Sequence, residues 1–257
     1  MNKFLGLLVV FLFSVLSVHS ADMRFVQVDG VLLNSNNTQP FEALVEKINE
    51  EKNVEFVVFT GNNISSPKKE NLEAFISVAK KLNRPYYMVL GQKDVNLQKE
   101  FGKKEYVKLL KKKVRTHKKY EMPNYVFKKK NIVFIVADGS KEVIPTAMGY
   151  YRDDVILWLD EQLDEYADKN VVILQHYPIV PPAKRETHYT YRAEDYLKLL
   201  SEHKNVKAVV AGHFGVNNEQ TYNGILHIAT QNSPTYRIID ILDYETSNPT
   251  FWSTIKE

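Results

Sequence analysis

The chain of 257 residues contains no cysteine. Disulfide scaffolds, thiolate metal sites, cysteine nucleophiles and lipid-anchored amino-terminal cysteines are therefore excluded. Three short catalytic motifs are also missing, namely the G-x-S-x-G elbow, the G-x-x-x-x-G-K loop and the G-x-G-x-x-G turn. Serine-hydrolase and common nucleotide-binding chemistry thus lack support. Glycosidase chemistry with two carboxylates stays open, because it leaves no local motif.

Long apolar runs are absent beyond the amino terminus. Residues 4–18 are largely apolar and are followed by small and polar residues up to Ser20. This run is short for a bilayer span, which takes about 20 residues. We interpret residues 1–20 as a secretory signal peptide and residues 21–257 as one exported domain, periplasmic or secreted. An uncleaved amino-terminal anchor is the alternative.

Charge is distributed unevenly along the chain. Residues 98–130 hold thirteen lysines and arginines against three glutamates, a local excess of +10, so the remainder carries about −7 of the net +3. Tyr106, Leu109, Leu110 and Val114 lie at helical spacing within this basic segment, which indicates an amphipathic helix with its lysines in solvent. A solvated helix face is the simpler interpretation. A surface that attracts phosphate-rich ligands or anionic lipids is the other.

Short apolar runs alternate with helical patterns through the rest of the chain. This alternation is typical of an α/β fold whose sheets are covered on both faces. In such folds ligands bind where the strands end on their carboxyl side. Strands are predicted at 24–28, 55–59, 86–90, 125–127, 131–138, 171–174, 206–210 and within 224–242, and helices at 41–49, 72–82, 154–166 and 196–203.

Polar residues follow five of these strands, in the sequences FVQVDGVLL, VVFTGNN, MVLGQKD, VVILQHYP and VVAGHFG. In order and separation they resemble the five motif blocks of the calcineurin-like metallophosphoesterases, and the resemblance covers essentially all of residues 21–257. It implies a four-layer αββα sandwich of two mixed β-sheets flanked by helices. It also implies phosphate-ester hydrolysis at two divalent metals, which lie about 3.5–4 Å apart and share a carboxylate.

The positions that hold the family's first metal have lost their donors. Gly30 stands at the first aspartate, Leu32 at the following histidine, Asn62 at the bridging aspartate and Gly215 at the last histidine. The resemblance therefore implies that this metal is absent. Asp29 is one place before the lost aspartate, and strand alternation directs it to the other side unless the register shifts locally.

The positions of the second metal keep neutral donors only. His176 and His213 match the family's histidines, while Asn62 and Gln92 offer amide oxygens. Lys93, at the position of the general-acid histidine, would repel a cation beside them. We expect no metal or one weakly bound divalent ion, Mn, Zn or Fe. Alternatively, the two histidines only form hydrogen bonds with the two amides.

Other polar residues are secondary candidates. In this family the loop that holds Lys184, Arg185 and Arg192 overhangs the site, so these side chains are candidates for contacting a phosphate or another anion, although exposed loop cations commonly contact nothing. Asp94 anchors its loop or pairs with Lys93. Structural or surface roles are expected for His117, His188, His203 and His227.

Two functions follow from the resemblance and its departures. The first is an exported pseudo-phosphoesterase with a binding or scaffold role, whose partner is a phosphate-containing small molecule or an anionic surface. The second is a single-ion phosphomonoesterase or phosphodiesterase in which Lys93 stabilises phosphoryl charge. No nucleic-acid-binding motif is present, and the sequence does not reveal the oligomeric state.

Overall fold

The computed structural model describes residues 23–257, so the predicted signal peptide lies outside the described residues. The described chain alternates strands and helices. The strands are β1 (Met23–Val28), β2 (Phe56–Phe59), β3 (Tyr86–Met88), β4 (Tyr125–Lys129), β5 (Ile132–Ala137), β6 (Gly149–Tyr150), β7 (Asn170–Gln175), β8 (Thr190–Tyr191), β9 (Val206–Ala211), β10 (Asn218–Tyr222), β11 (Ile225–Ala229), β12 (Tyr236–Leu242) and β13 (Thr250–Lys256). The helices are α1 (Gln39–Glu50), α2 (Lys69–Ala79), α3 (Lys103–Lys113), α4 (Asp153–Glu165) and α5 (Ala193–Glu202).

Two mixed sheets form the centre of the molecule. The first has the order β13-β12-β1-β2-β3, with β1, β2 and β3 parallel and β12 and β13 antiparallel to their neighbours. The second has the order β10-β11-β9-β7-β5-β4, with a parallel centre and antiparallel edges. The predicted sandwich of two mixed sheets is confirmed.

Aromatic side chains join the two sheets face to face. The rings of Phe25 and Phe56 stack with their centroids 5.0 Å apart, and both meet Phe134 of the second sheet edge-on, at 5.7 and 5.1 Å. Apolar side chains from α1, α2 and α3 cover the outer face of the first sheet, and those from α4 and α5 cover the second. The order of layers is therefore helix, sheet, sheet, helix, with the main core between the sheets.

The basic segment folds as its pattern predicts. Tyr106, Leu109 and Leu110 are buried on α3, and Val114 is buried at its end. Four lysines of the segment form ion pairs with carboxylates, so part of its charge is neutralised within the molecule: Lys103 with Asp138, Lys111 with Glu121, Lys113 with Glu73 and Lys130 with Glu55. Within residues 23–257 no helix is long and apolar enough to cross a bilayer.

Candidate functional site

The carboxyl ends of strands from both sheets meet at one crevice, as the alternating pattern predicts. The imidazole of His176, just after β7, reaches across to the first sheet. Its Nδ1 lies 2.7 Å from the carbonyl oxygen of Thr60, which follows β2, and its Nε2 lies 2.7 Å from Oε1 of Gln92, beyond β3. The backbone of Gly212, after β9, donates to the carbonyl of His176 at 3.1 Å. The loops of four strands are thereby tied together.

His176 and His213 face each other in this crevice. His213 Nδ1 lies 3.2 Å from His176 Nε2, and His213 Nε2 donates to the carbonyl of Ala147 at 2.6 Å. Since His176 Nδ1 donates to the carbonyl of Thr60, the second nitrogen of each ring carries a lone pair. These two lone pairs point at each other, and Oε1 of Gln92 adds a third.

Burial keeps both imidazoles neutral. It lowers the pKa of His176 to about 4. It also lowers the pKa of His213 to about 2, with further lowering by neighbouring His176 and His188. Acceptor atoms 2.7 and 3.2 Å apart repel one another unless a proton or a cation lies among them, so these three groups can take up a positive charge but leave no room for a bridging water.

Asn62 does not complete this donor set. Its Oδ1 accepts a hydrogen bond from the backbone of Lys93 at 2.9 Å, so the oxygen is turned to the β3 loop. The residue has a φ of 38°, in the left-handed region. Of the two amides expected to approach the histidines, Gln92 does so, whereas Asn62 ties the loop after β2 to the loop after β3.

Asp29 lies inside the crevice, and the expectation that it faces the other side of the sheet is wrong. It is buried, accepts hydrogen bonds from the backbone of His213 and from Oγ1 of Thr60 at 2.9 Å each, and lies 3.8 Å from His176 Nδ1. Phe25 packs between the sheets and Gln27 donates to the carbonyl of Ala211 in the second sheet, so the two-residue alternation itself directs Asp29 into the crevice. The expectation is wrong because it assigns the crevice side to position 30. The carboxylate stands behind the imidazole, away from the converging lone pairs.

Burial raises the pKa of Asp29 to about 7, against the lowering effect of its two hydrogen bonds. The residue also touches the opposite sheet. A Cβ atom on Gly212 would come within 1.7 Å of Asp29 Oδ1. Glycine at that position is therefore required for the carboxylate to reach its donors.

The remaining first-metal positions hold no donor side chains. A side chain on Gly30 would collide with Asn232, whose Cγ lies 2.6 Å from the position of a Cβ atom. Leu32 uses its backbone to donate to the carbonyl of Asn62 at 2.9 Å. Gly215 has open space beside it. Asn232 thus fills the space that a side chain at position 30 would need.

Asp94 anchors the loop after β3. It accepts hydrogen bonds from the backbones of Gly91 and Ile64, at 2.8 and 2.9 Å, and from Nδ2 of Asn63 at 3.0 Å. Burial raises its pKa to about 7. Of the two roles considered for Asp94, loop anchoring is the one observed. The side chain of the adjacent Lys93 projects into solvent.

Two loops cover the crevice. One supplies the Ala147 carbonyl that His213 binds. The other places the His188 ring 4.8 Å from the His213 ring, and Arg185 Nη1 donates to the carbonyl of Phe214 at 3.1 Å. Among the three loop cations, Arg185 therefore borders the crevice and Lys184 is exposed. Arg192 pairs with Asp153 and Asp195, at 3.0 and 2.6 Å, so its charge is neutralised.

A second acidic and histidine cluster lies on the surface formed by α4 and the end of α5. His203 Nε2 lies 2.7 Å from Asp160 and Nδ1 lies 3.8 Å from Asp164. One ligand atom from each residue lies within 4.8 Å of the others, close enough to share a metal ion. The i, i+4 spacing of the two aspartates is visible in the sequence, but the approach of His203 depends on how α5 docks. His117 and His227 are buried, as structural histidines are.

Comparisons with known proteins agree with this architecture. Residues 18–217 match the family model described as calcineurin-like phosphoesterase. A probable glycerophosphodiester phosphodiesterase of Arcobacter nitrofigilis is 24% identical over 192 residues, which are 72% of this chain and 64% of that protein. The chain thus spans less than two thirds of this relative.

Solved structures give the same fold at low identity. A dimetal phosphatase from Danio rerio superimposes with a TM-score of 0.70 at 14% identity, over 90% of this chain and 99% of that one. Plasmodium GAP50, described as the anchor in the inner membrane complex, superimposes with a TM-score of 0.57 at 15% identity, over 93% of this chain and 90% of that one. With the match over residues 18–217 and the two mixed sheets, the chain belongs to the calcineurin-like phosphoesterase family.

Proposed function

We propose that this protein is an exported member of the family that has lost efficient two-metal catalysis and acts by binding or as a scaffold. The observation that carries the proposal is the state of the first-metal positions. Asn232 fills the space beside Gly30, and neither Leu32 nor Gly215 has a donor side chain. Two-metal hydrolysis needs both ions to neutralise the attacking and leaving oxygens.

The second-metal positions fit a divalent ion poorly. The lone pairs of His176, His213 and Gln92 converge. Asn62, however, turns its oxygen to the Lys93 backbone, and the nearest carboxylate, Asp29, stands behind the imidazole. Sites of this kind normally include a carboxylate that offsets the ion's charge. The proposal is therefore no metal, or one weakly bound Mn, Zn or Fe.

A single-ion phosphoesterase is the second candidate function. It is favoured by the three converging lone pairs and by the curated relative, which is a probable glycerophosphodiester phosphodiesterase. Held there, a divalent ion would polarise a phosphoryl oxygen as a Lewis acid. The exposed ammonium of Lys93 would then bind phosphoryl charge in place of the missing metal.

The scaffold role is compatible with this fold, since the Plasmodium protein described as an anchor shares the architecture. Export rests on the amino-terminal sequence pattern. Fractionation of cells that express the full chain, with removal of residues 1–20 checked by mass spectrometry, tests export independently of activity.

Metal content and turnover distinguish the two functions. We expect elemental analysis of the purified protein to find far less than one ion per chain in the crevice. We also expect no hydrolysis of a generic phosphodiester with added Mn or Zn. The matched pair of variants is His176→Ala, which removes a crevice donor, and His203→Ala, which removes a donor from the surface cluster, each checked for folding by circular dichroism. Robust hydrolysis lost only in His176→Ala would overturn the binding proposal.

A further inference from the structure

A second cleft opens beside the histidine pair, on the solvent side of the β3 loop. Its volume is about 280 Å³, close to the lower end of the roughly 300–1,000 Å³ typical of small-molecule sites. Gln92 and Ala147, which hold His176 and His213, form its inner wall. We call it the lysine cleft, since its polar lining consists of Ser65, Ser66, Lys93, Asn96, Lys99 and Thr146 with Gln92 behind them.

The charge of this lining is entirely positive. No carboxylate lines the cleft among the residues the structure describes, and within residues 23–257 neither Lys93 nor Lys99 forms an ion pair. Nearby Asp94 is buried and satisfied by backbone donors, and Glu142 accepts from the backbone of Lys103 at 2.6 Å. Two ammonium groups, two serine hydroxyls and an amide beside one cavity form a donor set for an oxyanion.

The backbone that carries the two lysines is held in place. Lys93 lies within the turn that hydrogen bonds to Asp94 and Asn62 hold in place. Lys99 donates its backbone N–H to the carbonyl of Asn96, whose side chain caps the same turn by accepting from Gln98 at 2.9 Å. Little backbone ordering is therefore needed when a ligand binds, which favours affinity.

Exposed apolar side chains flank the cleft on one side. Leu97 is 50% exposed, Val143 56% and Ile144 67%. The two segments lie together, because the backbone of Leu97 donates to the carbonyl of Glu142 at 2.7 Å. Large apolar side chains grouped in solvent mark interaction surfaces more often than isolated ones do.

We propose that the lysine cleft binds the phosphate group of an organic phosphate monoester, with the ammonium groups of Lys93 and Lys99 donating to its oxygens. This inference rests on the proposed function, because it assigns a ligand class to a protein that binds without turnover. The phosphate can come from a soluble ester or from a lipid. The apolar side chains Leu97, Val143 and Ile144 would then contact the remainder of a lipid.

The first experiment is calorimetric titration of the full mature chain with sn-glycerol 3-phosphate in the presence of a chelator, so that metal-bound phosphate does not contribute. We expect saturable binding that weakens at least about tenfold in the Lys93→Ala/Lys99→Ala double variant, since each lysine supplies a charge-assisted hydrogen bond. The control is Lys104→Ala/Lys108→Ala, which removes the same charge from the exposed face of α3 and should change the affinity less than twofold.

The second experiment distinguishes the sources of phosphate. Vesicles of phosphatidylcholine with phosphatidic acid are compared with phosphatidylcholine alone, using wild type, the cleft variant and Val143→Ser/Ile144→Ser. If the ligand is a lipid phosphate, both variants should no longer sediment with the vesicles that contain phosphatidic acid. The serine variant should still bind glycerol phosphate. If the ligand is a soluble ester, the wild-type protein should bind glycerol phosphate and should not sediment with either kind of vesicle.

Two results would overturn the inference: absence of phosphate binding in both experiments, or unchanged binding in Lys93→Ala/Lys99→Ala. Neither bears on catalysis. Conversely, metal-dependent turnover would overturn the proposed function, while lysine-dependent binding in the chelator would still support the cleft.

Discussion

The two sheets contribute unequally to the crevice. In the first sheet, the loop after β2 turns its amide oxygen onto the backbone, as Asn62 does toward Lys93, and the loop after β3 directs only the amide of Gln92 to the histidines. The loops of the second sheet, after β7 and β9, keep two imidazoles whose lone pairs still face the crevice. The difference teaches that this fold does not need metal ligands to bring its strand ends together, because hydrogen bonds to the backbone do the same.

Asp29 is the clearest case of such a replacement. It comes from the first sheet and accepts hydrogen bonds from the backbone of His213 on the second. A buried carboxylate at the junction thus joins the sheets where the family uses metals. Substitutions at this junction test the comparison most directly.

The largest effect is expected for Gly212→Ala. Its Cβ would lie 1.7 Å from Asp29 Oδ1, so the carboxylate must move away from its donors and leave them unsatisfied. We expect the free energy of unfolding in urea to fall by about 3 kcal/mol or more. The control is Gly215→Ala, whose Cβ atom would have no other atom within 4 Å. The only cost there is the strain of an alanine at a φ of 66°, so we expect the free energy of unfolding to fall by about 1 kcal/mol. Equal losses in the two variants would contradict the role of Asp29.

The next effect is the dependence of stability on pH. A buried aspartate with a raised pKa stabilises the fold at low pH and loses this contribution as pH rises through 7. A buried histidine with a lowered pKa stabilises it above about pH 6.5, the pKa of an unfolded histidine, and loses this contribution as pH falls. The aspartates are Asp29 and Asp94, and the histidines are His117, His176, His213 and His227.

With four histidines against two aspartates, unfolding takes up protons between pH 6.5 and 4.5. The melting temperature should therefore fall over this range, by roughly 5 °C per pH unit. Calorimetric scans at steps of half a pH unit measure this change in melting temperature. A melting temperature that rises on acidification would mean that the carboxylates of the first sheet outweigh the histidines.

A smaller effect is expected when one carboxylate is returned to the first sheet. Asn62→Asp places a negative charge at the position of the family's bridging ligand. We expect Zn or Mn affinity in the crevice to rise at least tenfold, because the donors would no longer all be neutral. Asn36→Asp, at an exposed position, adds the same charge and should leave the affinity unchanged. Equal gains in metal affinity for the two variants would show that the added charge acts at long range and that the new carboxylate does not coordinate the ion.

The smallest effect concerns the surface cluster. Asp160→Asn removes the half-exposed carboxylate that pairs with His203, so we expect the free energy of unfolding to fall by less than about 1 kcal/mol. Any weak zinc binding by Asp160, Asp164 and His203 should be lost, while binding in the crevice stays as it is. Zinc titrations of Asp160→Asn and His176→Ala separate the two sites.

The strand ends that meet at the crevice could be predicted from the sequence, since apolar runs and the polar residues after them are local features. The edge strands β10 and β13 were harder, because their side chains are largely exposed and lack an apolar run. The position of Asp29 was predicted wrongly, since the alternation of β1 directs Phe25, Gln27 and Asp29 toward the second sheet, whereas the resemblance placed the crevice side at Gly30.

The sequence by itself determined the order of the layers and the absence of donor side chains at Gly30, Leu32 and Gly215, because periodicity and residue type are properties of the chain alone. Only the tertiary structure decided that Asp29 supports the histidine pair, that Asn62 turns to Lys93, and that Lys93 and Lys99 share a cleft. The reason is physical. Where a polar group points is decided by the donors and acceptors that burial leaves within its reach, and those come from distant parts of the chain.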